Sequence, residues 1–199
     1  MSRNAVRISG QSGALMIEVV VTLAVVVVGL WAMLDLHIRL QVLETESSQR
    51  TRAQLLLEDM AARLRANPAA ASEYLTDPVA GLGAEPCADP GLTAPLAARD
   101  MAQWCRRLKG ESALDADGEP VAGLFAGRGC IEVLEGGAAP QYALTIVWQG
   151  LTALSPPPVA VRCGKGGYDL PTRSACVGFA GACRRFITTV VSFPSLESL

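Results

Sequence analysis

The sequence predicts an α+β protein in which one long N-terminal helix precedes a small domain built on an antiparallel sheet. All 12 prolines and all six cysteines of the 199 residues lie after residue 67, so no proline interrupts a helix before that point. Beyond Gly110 apolar side chains recur at every second position, which is typical of half-buried strands. These changes divide the chain into four predicted parts: a basic leader at 1–13, an apolar helix at 14–34, its continuation at 35–66 and a domain at 67–199.

The overall charge and histidine content exclude several functions. With 17 basic and 19 acidic residues the net charge is −2, which favours no nucleic-acid partner. The single histidine, His37, excludes Ser-His-Asp and Cys-His catalysis in the C-terminal domain and every multi-histidine metal site. We therefore expect no catalytic residues, no metal and no cofactor, and hence no enzyme.

The N-terminal segment is predicted to cross a membrane. Residues 14–34 contain 21 residues with one charge, Glu18. As a helix they span ~31 Å, the thickness of a bilayer core. Arg3 and Arg7 predict a cytoplasmic N-terminus and an external C-terminal domain. A helix buried in a protein core is the alternative. The run is too long for an ordinary secretory signal, and the small-residue junction, Ser12-Gly13-Ala14, precedes it.

Glu18 is the unexpected residue in this helix. A carboxylate in hydrocarbon costs several kcal/mol unless it is neutralised or paired. Cleavage after Gly13 would give Ala14 a free α-amino group, which could pair with Glu18 of a neighbouring parallel helix and set the axial register. The alternative places Glu18 near the lipid headgroups.

The helix is predicted to continue from Asp35 to Ala66, where Asn67-Pro68 ends it. The polar middle at 44–52 is expected to be solvated or to lie against neighbouring subunits. An apolar stripe should pack on the C-terminal domain, with a two-stranded coiled coil as the competing arrangement. The stripe comprises Ala53, Leu56, Leu57, Met60 and Leu64, and the expected ion pairs are Glu46/Arg50 and Asp59/Arg63.

The C-terminal domain is predicted to contain one helix and about four antiparallel strands. The helix should begin after Pro95 and end at Lys109-Gly110. The strands are expected at 130–135, 142–149, 159–163 and 185–193, with the first two forming a hairpin. This sheet should lie on the outer half of the long helix.

The cysteines are predicted to be structural. An even number outside the cytoplasm favours disulfides, and six cysteines allow fifteen complete pairings. Zinc binding and redox catalysis are disfavoured because no C-x-x-C pair exists. The disulfide candidates are Cys87, Cys105, Cys130, Cys163, Cys176 and Cys183.

Three further motifs are each expected to be structural. Asp115-Ala-Asp117-Gly118-Glu119 lacks the remaining ligands of a calcium loop and should be a solvated turn. Gly164-Lys-Gly-Gly167 should be a loop and no phosphate site. The basic pairs Arg106-Arg107 and Arg184-Arg185 are expected to be solvated or to contact other subunits.

Gly13, the five residues Ala14-Leu15-Met16-Ile17-Glu18 and the following apolar run resemble the class III signal of type IV pilins and pseudopilins. The resemblance implies that a membrane aspartyl peptidase, the prepilin peptidase, cleaves after Gly13, that Ala14 becomes the N-methylated mature terminus, and that Glu18 serves assembly. The family usually has Phe or Met at the position of Ala14.

The later motifs are similar to those of the minor pilins called PilV, or type IV pilus modification proteins. These motifs are residues 55–67, Trp104-Cys105, Gly129-Cys130-Ile131, residues 142–149 and Arg184-Arg185. The resemblance implies a pilin-like fold and a subunit that primes pilus assembly, with a role in adhesion or motility. Implied partners are other minor pilins, the major pilin, the prepilin peptidase, the inner-membrane assembly platform and inner-membrane lipid. The alternatives are a minor pseudopilin of a type II secretion system and a membrane-anchored periplasmic enzyme.

Overall fold

The computed structural model describes residues 12–118, 123–134, 136, 139–169, 176 and 180–193, with the backbone alone at 12–15. The chain divides into two compact units, residues 1–44 and 45–199. Its elements are helix α1 (Ser12–Ala66), a 3₁₀ helix (Pro68–Tyr74), helix α2 (Leu96–Lys109) and strands β1 (Arg128–Leu134), β2 (Gln141–Gln149) and β3 (Arg184–Ser192). The α+β class predicted from the sequence is confirmed.

The first unit contains the apolar part of α1. Every residue from Met16 to Gln41 is exposed, and the most apolar 18-residue window has a mean hydropathy of 2.5 with none of it buried. Within the described part of the chain, α1 is thus long and apolar enough to cross a membrane. No described residue buries this window, whereas the core helix of a soluble protein is mostly buried.

The second unit is organised around the last turns of α1. Ala53, Met60 and Leu64 are 0% exposed and belong to the same hydrophobic core as Leu144 and Ile146 of β2. The apolar stripe therefore packs within the domain, as the helical spacing predicted. The helix ends at Ala66, and the next residues turn into the 3₁₀ helix.

The described part of the sheet has three strands in the order β1-β2-β3, and both pairs are antiparallel. Ile131 of β1 lies opposite Leu144, and Thr145 lies opposite Thr188 of β3. The predicted hairpin between β1 and β2 is confirmed. The residues that face α1 form the main core, because successive side chains of a strand point to opposite faces.

The prediction of a fourth strand at 159–163 is wrong, because these residues form no strand. Pro158 precedes them, and its carbonyl accepts a hydrogen bond from Val161 at 2.9 Å, which closes a turn. Cys163 is bonded to Cys130 of β1, so the segment crosses the outer face of the sheet and does not extend its edge. There Cys130, Val147, Cys163 and Tyr168 form a second, smaller core.

Helix α2 lies where the sequence placed it and ends at Gly110, whose φ of 80° is the left-handed conformation of a helix C-cap. Its inner face buries Trp104, whose indole Nε1 donates to the carbonyl of Leu56 at 3.0 Å. Gly129 of β1 passes directly under this ring, since a Cβ at Gly129 would lie 2.3 Å from Trp104 Cη2. Helix α2 is thereby anchored to both α1 and β1.

Candidate functional site: the exposed helix and the disulfide-linked head

The predicted processing segment lies in the first turn of α1. The backbone is helical from Ser12, so the Gly13–Ala14 bond belongs to this turn. Ala14 and Glu18 are four residues apart, about 6 Å along the axis and on the same face.

Glu18 has no partner within the described part of the chain. Its side chain is exposed, and no ion pair or hydrogen bond joins it to another described residue. It is also the sole ionisable side chain between Met16 and Leu34. A partner for this carboxylate must therefore come from outside the described residues.

The face of α1 that carries Glu18 includes three small residues beside Val25. At 100° per residue, Thr22, Gly29 and Ala32 fall within about 40° of Glu18 around the helix. A Cβ added at Gly29 would meet no atom within 4 Å. Small residues allow two helix backbones to approach closely in a membrane, so this face suits helix–helix contact.

All six candidate cysteines form disulfides, and the structure selects one of the fifteen pairings. The pairs are Cys87–Cys105, Cys130–Cys163 and Cys176–Cys183. The first joins the segment before α2 to α2 itself. The second holds the 159–169 segment on the outer face of the sheet. The third closes a short loop before β3. Each disulfide reduces the conformational freedom of the unfolded chain.

Polar side chains attach α1 to the rest of the domain, and the sequence did not predict this contact. We call it the polar clamp; it comprises Glu46, Gln49, Arg185 and their hydrogen-bond partners. Arg185 Nη2 and Nε donate to Glu46 Oε1 and Oε2 at 3.1 and 3.2 Å. Glu46 Oε1 also accepts the N–H of Leu151 at 2.7 Å. Gln49, 4% exposed, accepts the N–H of Phe125 at 2.9 Å.

The polar clamp corrects two sequence predictions. The segment 44–52 is not uniformly solvated or free for neighbouring subunits, and Glu46 pairs with Arg185 in place of the expected Arg50. Arg184 and Arg185 are not a solvated pair: Arg184 is 7% exposed and donates to the carbonyl of Cys163 at 2.7 Å. Burial lowers the pKa of Arg184. In the sequence, the polar run at 44–52 indicated that this part of the helix is not in an apolar core, but it could not identify Arg185 as the partner of Glu46.

The second predicted ion pair, Asp59/Arg63, is confirmed at 3.0 Å and belongs to a larger network. Arg63 also donates to Asp100 at 2.7 Å, and Arg107 donates to Asp59 at 2.9 Å. Arg107 is therefore paired within the domain. Burial alone would lower the pKa of Arg63, but the hydrogen bonds to Asp59 and Asp100 outweigh it and the pKa is raised.

The two remaining motifs, at 115–119 and 164–167, form turns where the structure describes them. Asp115 Oδ1 accepts the N–H of Asp117 at 2.9 Å, which forms a turn, and Glu119 lies outside the described residues. Within the described ranges, no three acidic, histidine or cysteine side chains form a metal-binding group. Residues 164–167 form turns beside Tyr168 and no helix begins there. Comparison with protein-family models, curated proteins and solved structures finds no match to this chain.

Proposed function

We propose that the chain is a minor type IV pilin: a subunit that is stored in the inner membrane with its C-terminal domain in the periplasm, is cleaved after Gly13, and helps to prime pilus assembly. Its partners would be other minor pilins, the major pilin, the prepilin peptidase and the assembly platform. It would then reach the pilus and the cell surface, with a contribution to adhesion or motility.

The observation that carries the proposal is Glu18, the one carboxylate of an exposed apolar helix, which has no partner among the described residues and lies one turn after Gly13-Ala14. An acidic side chain at the centre of a membrane helix costs about 3 kcal/mol on insertion scales, and Glu18, the fifth residue of the apolar run, lies nearer its end, where the cost is smaller. A neighbouring Ala14 amine would reduce this cost by forming an ion pair. Because that amine exists only after cleavage, processing would be coupled to assembly.

The rest of the chain supports the same interpretation. Thr22, Gly29 and Ala32 lie on the face of Glu18, so a neighbouring helix can come close enough for the pair to form. Three disulfides in residues 45–199 suit an oxidising periplasm. The last turns of α1 pack on the sheet, so the end of the helix belongs to the core of the domain.

The mature N-terminus tests the processing step. The full chain should be purified from membranes of a cell that produces prepilin peptidase, and its intact mass measured. We expect a chain that begins at Ala14, with a methylated amine. A Gly13→Val variant should keep the leader, because it removes the glycine after which the class III signal is cleaved. A wild-type chain that begins at Met1 or Ser2 would refute the proposal.

The role of Glu18 is tested by Glu18→Ala, with Val19→Ala as the matched control in the same turn. We expect Glu18→Ala to be cleaved normally and to be depleted from sheared filaments relative to the membrane fraction. Val19→Ala should be incorporated like the wild type. Normal incorporation of Glu18→Ala would remove the role assigned to Glu18. A secretion defect without a pilus defect would favour the pseudopilin alternative.

A further inference from the structure

One face of α2 carries hydrogen-bond donors that the domain does not use. Arg99, Gln103 and Arg106 follow one another at spacings of four and three residues, so they share one side of the helix, which we call the arginine face. Together with Asp89 and Ser112 they line an open depression of about 550 Å³. The opposite side of α2 is packed in the core, so the arginine face is directed to the surface.

The two arginines of this face have no carboxylate partner within 4 Å among the described residues, although their basic neighbours do. Arg63 and Arg107 are paired with Asp59, and Lys109 is paired with Glu111 at 2.9 Å. The depression itself contains one carboxylate, Asp89, against two guanidinium groups. It is therefore a locally cationic site on a protein whose net charge is −2.

The walls of the depression are held in place. Gln103 Oε1 accepts from Arg63 Nη1 at 2.7 Å, which turns the carbonyl toward Arg63 and leaves the two amide hydrogens as donors. The disulfide Cys87–Cys105 joins the segment that carries Asp89 to the helix turn that carries Arg106. The donors are thus presented on a rigid element, which reduces the ordering cost of binding.

We propose that this depression docks an acidic segment of a partner protein, with two carboxylates three residues apart in a polyproline II conformation. Seven helical residues separate Arg99 from Arg106, about 10 Å along the axis. Three residues of a polyproline II helix cover about 9 Å and complete one turn, so the first and fourth side chains of such a segment lie on the same side and match the two guanidinium groups. Gln103 lies between them and can donate to a backbone carbonyl. Guanidinium groups bind carboxylates bidentately, which gives the contact its geometry.

The full chain in micelles of an uncharged detergent can be titrated with a labelled, end-blocked Glu-Gly-Gly-Glu peptide and followed by fluorescence anisotropy. We expect saturable binding at low salt that weakens as salt screens the charges. Arg99→Gln and Arg106→Gln should each weaken it about two- to fivefold. Asp89→Asn should strengthen it, and Arg52→Gln, which removes an exposed arginine of α1, should leave it unchanged.

Probes of different chemistry distinguish the proposal from simple charge attraction. A Gln-Gly-Gly-Gln peptide should not bind, and a peptide with adjacent glutamates should bind more weakly than the spaced one. Inorganic phosphate should compete poorly because it meets one guanidinium at a time. The proposal is overturned by equal affinity for phosphate and the spaced peptide, by no binding of the spaced peptide, or by equal losses in Arg52→Gln and Arg106→Gln.

Discussion

Replacement of Glu46 by glutamine should destabilise the domain although it changes a single atom type. Glu46 receives two hydrogen bonds from Arg185 and two from the backbone N–H groups of Leu151 and Thr152. The side chains of Glu46 and Arg185 are 19% and 11% exposed. Because water has little access to the pair, the charge interaction is less screened than at the surface, where such pairs contribute at most about 1 kcal/mol.

The expected loss of stability depends on which contacts Arg185 and the new glutamine keep. Loss of one partner from a fully buried pair costs about 3–5 kcal/mol, because a charge is left uncompensated. Here Arg185 keeps hydrogen bonds to the carbonyls of Ala182 and Thr152, at 3.1 and 2.7 Å, and glutamine retains one acceptor oxygen. These remaining contacts reduce the loss, and we expect about 2 kcal/mol for Glu46→Gln, as for a hydrogen bond between charged groups.

The free energy of unfolding should be measured on the full chain in detergent micelles by guanidinium chloride titration, with the disulfides intact. Fluorescence of the buried Trp104 and Trp148 reports on the domain. Glu44→Gln is the matched control because Glu44 is exposed, and its effect should stay below about 0.5 kcal/mol. A double-mutant cycle with Arg185→Gln then isolates the pairwise energy, for which we expect at least about 1 kcal/mol.

Two results would contradict this reasoning. A loss in Glu46→Gln no larger than that in Glu44→Gln would mean that the ion pair contributes nothing beyond its packing. A coupling energy near zero, with both single variants destabilised, would mean that Glu46 acts through Leu151 and not through Arg185.

Three further substitutions test other parts of the structure. Gly29→Leu should leave cleavage and domain stability unchanged, because a Cβ there meets no atom of the described residues within 4 Å, and should reduce incorporation several-fold in sheared filaments. Burial disfavours the ionised form of Tyr168 and so raises its pKa. The neutral side chain therefore contributes fully to stability below pH about 10, and this contribution is lost as the pH rises. Stability measured between pH 9 and 11 should therefore fall less steeply in Tyr168→Phe, and an unchanged slope would contradict this. Gly129→Ala should lower the free energy of unfolding by about 1–3 kcal/mol, because its Cβ would overlap the buried ring of Trp104.

Local periodicity predicted most of the fold, because the apolar pattern of a helix or a half-buried strand can be recognised within a few residues. The helical spacing of Ala53, Met60 and Leu64 identified the buried face of α1, and alternation identified β2. The error at 159–163 has a local and a distant cause. The prolines before Val159 and the disulfide of Cys163 override the β propensity of the segment.

Pairing between distant residues was not predictable in the same way. Glu46 and Arg185 are 139 residues apart, and the local pattern around Glu46 favoured Arg50, one helical turn away. The fifteen possible disulfide pairings likewise required the fold, since strand order and the path of the 159–169 segment decide that Cys163 meets Cys130. Glu18 was identifiable from the sequence because its anomaly is local: one charge in an apolar run.

The two glutamates Glu18 and Glu46 lie on the same helix and differ in where their partners are. Glu46 is paired inside the domain, so its substitution should change the free energy of unfolding. Glu18 has no partner among the described residues, so its substitution leaves every described contact of the subunit intact. A variant that assembles poorly while its domain unfolds normally is therefore the expected phenotype of Glu18→Ala, and the reverse is expected of Glu46→Gln. If both substitutions produced the same defect, the carboxylate of Glu18 would be serving stability, and its proposed role between subunits would fail.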